Sequence, residues 1–337
     1  MSRGHVALTS AVLSVLLAGT VFAAGPVRVA VFVPGVAAGS PLYEQLVSGA
    51  QKAQAEFPDM TIKVVEGGFN QAEWPEKMTS LAATGEYTWI LSSNASMPGI
   101  AADVARTFPQ QKFIIMDGYL SGNPQIYTLM YNQVEQGYLA GYMAGLVTKS
   151  RQKGGAAAKV GAVVAQEYPV LNQQILPGFQ QGFQAVDPTF SLDYRVIGNW
   201  SDANKAADLA NSMMDSGVSV ILPIAGGAGQ GVVKAAQNRG RFIVYFDANT
   251  YSLAPGTIVG CAILDQQRAV YETLKKAMRG TLPFGTADVV DARSRYVDFA
   301  DADPLYIKNV PADLRARMDT VVRKLRSGAL TFPVPRM

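Results

Sequence analysis

The chain of 337 residues is long enough for two domains at the usual ~100–200 residues each. With 49% hydrophobic and 16% charged residues and a formal net charge of +3, the composition is that of a folded globular protein; it excludes a disordered chain and leaves no basic footprint for nucleic acid. The single histidine, His5, falls in a segment read below as removable. Its loss excludes Ser-His and Cys-His nucleophile systems and the common zinc ligand sets, so a general base would have to be a carboxylate or lysine.

In chain order, the first feature is a charged start followed by an apolar run from Val6 to Leu17 and then small residues. This layout predicts a secretory signal at residues 1–23, cut after Ala23, with an apolar stretch too short to span a membrane. No cysteine stands near the cut, so no lipid attachment is expected. The mature chain is expected to be a soluble periplasmic protein and a monomer. Cys261, the only cysteine, is expected to be a small core residue.

From Val27 onward, short β-rich runs alternate with helical patterns, the signature of βαβ units on a largely parallel sheet. Strands are predicted at residues 27–33, 61–65, 88–91, 112–116 and 125–129, then at 160–165, 191–197, 219–223, 242–246 and 257–264. A helix over 202–216 carries Ala206, Leu209, Ala210 and Met213 on one face, with Asp202 at its start and Gly217 as its glycine cap. Further helices are predicted over 265–279 and 312–327. The fold class is α/β, with two Rossmann-like lobes, a hinge and an interlobe cleft. Lobe 1 is expected to hold residues 24–131 and 262–290, and lobe 2 residues 132–261 and 291–337.

Ligands of doubly wound sheets lie beyond the carboxyl ends of the strands, so the loops at those ends supply the candidate binding residues. They are Ser40 and Tyr43, Asn94, Asp117, Tyr168, Trp200, Gly227 with Gln230, and Asp247, together with Tyr131 at the break between lobes. Trp200 sits in a polar loop, where it either stacks on a flat ligand or folds over a helix end. Asp117 and Asp247 each follow a β run and either accept ligand N–H and O–H groups or cap the next helix. The glycine-rich 225–231 loop is either a tight strand-to-helix turn or a cradle for a polar ligand edge, and it lacks the lysine-serine ending of a P-loop. Asp265 with Glu272, and the basic run from Arg315 to Arg326, are expected to be solvated helix faces.

Several stretches resemble the basic membrane protein group of ABC-importer binding proteins, whose best-studied members are purine nucleoside receptors. They are Val134-Glu-Gln-Gly-Tyr-Leu-Ala-Gly-Tyr-Met-Ala144, Phe113-Ile-Ile-Met-Asp117, Trp200-Ser-Asp-Ala-Asn-Lys205, the 225–231 loop and Val244-Tyr-Phe-Asp247. The resemblance covers nearly all of the mature chain. It implies a type I periplasmic-binding fold that closes on a small-molecule ligand and delivers it to a permease with a cytoplasmic ATPase. It also implies an aromatic role for Trp200 beside the base, and base-edge and ribose roles for Asp117 and Asp247. The family's first-loop motif is replaced here by Ala38-Gly-Ser-Pro-Leu-Tyr-Glu-Gln45. Its ribose-contacting lysine is replaced by Leu264. A wide stacking surface at Trp200, Tyr43 opposite it and the loss of the ribose lysine together turn the expected ligand toward riboflavin, carried as cargo and not as a cofactor, with a purine nucleoside as the alternative. A ligand sensor or a Rossmann-type enzyme are further alternatives; no metal and no cofactor are expected.

Overall fold

A computed structural model describes Met1 and residues 26–152 and 158–335; the expected signal segment and its cut lie outside the described residues. Among the described residues, twelve strands form two six-stranded sheets. The first holds β1 (Val27–Val33), β2 (Met60–Glu66), β3 (Trp89–Ser93), β4 (Lys112–Met116), β5 (Ile126–Tyr131) and β11 (Ala287–Val290), in the order β11-β5-β4-β3-β1-β2. The second holds β6 (Lys159–Val164), β7 (Ser191–Val196), β8 (Val220–Ile224), β9 (Phe242–Asp247), β10 (Ile258–Leu264) and β12 (Val297–Phe299), in the order β12-β10-β9-β8-β6-β7. Adding five to each of the first five strand numbers turns one order into the other, so each lobe repeats the same winding. Every pairing is parallel except that of β12 with β10.

The strand burial explains why the runs were legible. Central strands such as β3, β5 and β8 are buried along their whole length and read as continuous apolar runs, as parallel strands covered on both faces must. The outer strands β2 and β7 expose part of one face and carry polar residues there.

The helices are α1 (Pro41–Glu56), α2 (Trp74–Ala83), α3 (Met97–Thr107), α4 (Gln133–Arg151), α5 (Leu176–Val186), α6 (Ala203–Asp215), α7 (Gly229–Asn238), α8 (Gln266–Met278), α9 (Pro304–Asn309) and α10 (Ala312–Ser327). Asp202 is the N-cap of α6, its carboxylate accepting from the Lys205 N–H at 2.9 Å, and Gly217 follows the helix with φ +95°. Asp265 likewise caps α8 through the Arg268 N–H.

Helix α4 is buried on every side, which its glycines make possible. A Cβ placed on Gly137, Gly141 or Gly145 would run into the α5 side at Ile175, Phe179 or Phe183, and one on Gly178 or Gly182 would run into Val134 or Tyr138. The two helices therefore meet backbone to backbone. This is the structural content of the Val134–Ala144 stretch.

The chain crosses between lobes after Tyr131, after Leu264 and after Val290. The second crossing follows the 261/262 division expected from sequence by three residues, because β10 keeps pairing with β9 through Ile263 and with β12 through Leu264. Cys261 is fully buried, as expected for a core residue. The basic run on α10 departs from the expected solvated face at Arg326. That side chain is largely buried and binds Asp298 and Asp301, both at 2.8 Å, pinning α10 to the segment around β12. Among the described residues, no helix is long and apolar enough to cross a membrane.

Candidate functional site

The loops at the carboxyl ends of both sheets enclose a cavity of about 990 Å³ between the lobes. Lobe 1 contributes the segments around Pro34–Tyr43, Phe69–Trp74, Asn94 and Asp117; lobe 2 contributes those around Gln166–Val170, Gly198–Ser201, Pro223–Gly229 and Tyr245–Asp247.

Two carboxylates define its inner end. Asp117 follows β4 and Asp247 ends β9, and these strands occupy the same place, third from the hinge edge, in the two sheets. Both residues hold left-handed backbone, φ +54° and +70°. Aspartate tolerates this region better than most side chains, and such positions cost energy that a functional site can justify. Neither carboxylate caps a helix in the described structure; both line the cavity. Helix α4 reaches both from beneath: Gln133 Nε2 donates to Asp117 Oδ1 at 2.5 Å, and Gln136 Nε2 donates to Asp247 Oδ1 at 3.0 Å. Three residues apart, these glutamines lie on one helix face. Gln45 of α1 donates across the lobes to the Asp247 carbonyl at 3.0 Å.

Burial pushes the Asp117 carboxyl up to about 8, with the Asp247 charge adding to the rise and the Gln133 hydrogen bond opposing it. Burial likewise raises Asp247 to about 6, against the bond from Gln136. The hydroxyl of Tyr245 is pushed up to about 12 by burial, and burial also raises those of Tyr43 and Tyr168, so all three stay neutral hydrogen-bonding groups.

An aromatic wall stands beside the carboxylates. Trp200 lines the cavity, its indole N–H donating to Gln166 Oε1 at 2.9 Å and its ring tilted at 41° to Tyr168 with centroids 6.2 Å apart. The ring rests on the glycine-rich turn: a Cβ on Gly226, whose φ is +52°, would lie 3.3 Å from Trp200 Cε3. A Cβ on Gly231 would strike the backbone of Ala203 in α6. Packing against Trp200 and α6 thus accounts for Gly226 and Gly231, while Gly226, Gly227 and Gly229 also line the cavity. Tyr43 lines the cavity from the other lobe and accepts from Asn94 Nδ2 at 3.3 Å.

Of the sequence candidates, Ser40, Tyr43, Asn94, Asp117, Tyr168, Trp200, Gly227 and Asp247 come together around this cavity. Tyr131 does not. It ends β5 with its side chain fully buried in the lobe 1 core, its hydroxyl 3.4 Å from Gln266 Oε1. Gln230 is also outside the cavity lining: it is exposed on the first turn of α7. Leu264 is 2% exposed within the same core as Tyr131 and does not line the cavity.

Sequence reasoning passed over Gln133 and Gln136, since glutamine in a helix ordinarily reads as a solvated position. Their signal was the setting, two glutamines three apart at the start of an otherwise apolar helix just after a lobe crossing. Phe69 and Trp74 also line the cavity, from the 67–74 loop that follows a strand end and was expected at the cleft, and so does Tyr245, which lies inside a predicted strand and was not foreseen.

Comparison with known proteins gives this architecture a family. The family described as ABC transporter substrate-binding protein PnrA-like matches residues 26–331. Similar curated proteins include a CD4+ T-cell-stimulating antigen of Listeria innocua, 29% identical over 47% of this chain and 42% of that protein. An ABC transporter nucleoside-binding protein of Lactococcus lactis is 26% identical over 45% of this chain and 41% of its own length. A purine-binding protein of Brucella abortus is 30% identical over 35% and 31%. The matched parts thus span less than half of these relatives. Among solved structures, an ABC transporter solute-binding protein from Aeropyrum pernix superposes with a TM-score of 0.80 at 20% identity, covering 93% of this chain and 94% of that one.

Proposed function

From the premise that this chain belongs to the PnrA-like family of ABC transporter substrate-binding proteins, we propose that it binds a nucleoside between its lobes, performs no chemistry on it and hands it to a permease driven by a cytoplasmic ATPase. The observation that carries this reading is the pairing of Asp117 and Asp247, at equivalent strand ends of the two lobes, with the Trp200 and Tyr168 wall of one cavity. A flat base stacks on the wall, and carboxylates bonded to N–H or hydroxyl groups make stronger hydrogen bonds than neutral acceptors do. The sequence argument for riboflavin rested on the Trp200 stacking surface, Tyr43 opposite it and the missing ribose lysine; the two rings serve a nucleoside base equally well, and Asp117 and Asp247 offer ribose hydroxyls charged acceptors without a lysine. The names of the Lactococcus and Brucella relatives point the same way. In this reading the protein works outside the cytoplasm as a monomer, after cleavage near Ala23.

Calorimetry on protein stripped of any bound ligand tests the proposal with guanosine, riboflavin and a simple sugar. Guanosine is expected to bind and the sugar to give no heat. Trp200→Ala should weaken guanosine binding by about 1–3 kcal/mol, the usual contribution of a base stacked on an aromatic ring. Riboflavin binding with none for guanosine would overturn the ligand, and unchanged affinity in Trp200→Ala would overturn the stacking wall.

A further inference from the structure

The ligand cavity is unbalanced in charge. Among the described residues that line it, Asp117, Glu167 and Asp247 are acidic and none is basic. Two lysines approach its rim without entering. Lys77 Nζ donates to the Gly67 carbonyl at 2.8 Å and pairs with Glu73 at 2.7 Å, and Lys205 is exposed beside Gly198. Each inner carboxylate is held through one oxygen only. Asp117 Oδ2 and Asp247 Oδ2 accept no hydrogen bond from the described residues, and both side chains face the cavity. Around them stand Tyr43, Tyr168, Trp200 and Tyr245, whose ring faces attract cations.

Two half-buried carboxyl groups that share a cavity with no basic partner make each other's ionisation costly, so a ligand that brings positive charge is favoured because it lets both carry their charge. A phosphate placed in the same cavity would meet three acidic side chains and no cation. We propose that the cavity selects flat ligands bearing a positive charge, on the ring or on an attached nitrogen, seated between Asp117 and Asp247, and that it rejects phosphorylated forms of the same rings. This specificity rests on the reading of the cavity as an aromatic-ligand clamp. It implies that any nucleotide source must pass through a phosphate-removing reaction before this protein can bind the product.

The test is calorimetry at pH 7 on stripped protein with two closely matched pairs, adenosine against the cationic 1-methyladenosine and nicotinamide against the cationic 1-methylnicotinamide, with adenosine monophosphate as the anionic probe. In each pair that binds, the cation is expected to bind at least tenfold tighter. Adenosine monophosphate is expected to bind at least tenfold more weakly than adenosine. Asp117→Asn and Asp247→Asn should each shrink the cation's advantage, which a merely steric effect of the added methyl group would leave in place. The proposal is overturned if a neutral member equals or exceeds its cation, if adenosine monophosphate binds as tightly as adenosine, or if no member of either pair binds. Failure of the nucleoside reading looks different: 1-methylnicotinamide would then bind in preference to nicotinamide while both adenosines stay silent.

Discussion

Asp117 and Asp247 show how much a single side chain's position was legible. A β run ending in aspartate places the carboxylate at a strand's carboxyl end, and both do reach the cavity. What the run could not show is the glutamine beneath each one, because that contact joins α4 to two different lobes. Tyr131 failed for the complementary reason. It too ends a strand, but alternation along β5 turns its side chain into the core, and the parity of a fully buried strand cannot be read from its composition. The carboxylates also carry a consequence for stability. Asp117 is raised to about 8 and Asp247 to about 6, so between pH 4 and 8 the folded protein holds protons that the unfolded chain has released. Their contribution is therefore full in acid and is lost as pH rises to about 8. The groups that act on Asp117 are Asp247 and Gln133, with Tyr43, Tyr131 and Tyr168 close by. Thermal melting of the ligand-free protein across this range should show Asp117→Asn less sensitive to rising pH than the wild type. An equal slope in both would contradict the buried-pair account.

At the level of elements, the strands β1 to β10 were well marked by runs and the helices α6, α8 and α10 by caps or periodicity, whereas β11, β12 and α9 were not, and α1, α2, α3, α5 and α7 were legible only as the alternation between strands. β11 has four residues and β12 three, too short for any period to show, and each exists because a neighbouring sheet edge completes it. Helix α4 carried the most specific sequence stretch, and its glycines now have a physical reason. The overlap a Cβ would make at Gly141 with Phe179 predicts that Gly141→Ala destabilises by about 1–3 kcal/mol, despite alanine's better helix propensity. Gly99 in α3 is the control, since a Cβ there meets nothing within 4 Å. Gly99→Ala should gain about 0.5–1 kcal/mol. Urea denaturation of both variants checks the pair, and equal effects would mean that α4 and α5 are free to part.

For the molecule as a whole, the duplicated winding was legible because each lobe repeats its order of strand and helix, but the ties across the hinge were not. Glu135 at the start of α4 accepts from the Ala292 N–H at 2.8 Å, and Asn132 donates to the Phe332 carbonyl at 2.9 Å. The first crossing, the third crossing and the C-terminal segment are thus fastened to one another, while the far edges at β2 and β7 carry no such tie in the described contacts. Gly39 and Gly227 approach across the cavity, a Cβ on Gly39 lying 4.0 Å from Gly227 Cα, so the lobes already meet at that point. A ligand that touches both lobes stabilises the closed arrangement over the open one. Small-angle scattering from the stripped protein, alone and with saturating guanosine, tests the clamp most directly. The account predicts a smaller radius of gyration with guanosine than without it; an unchanged radius at saturation would contradict a two-lobed clamp that closes on a nucleoside.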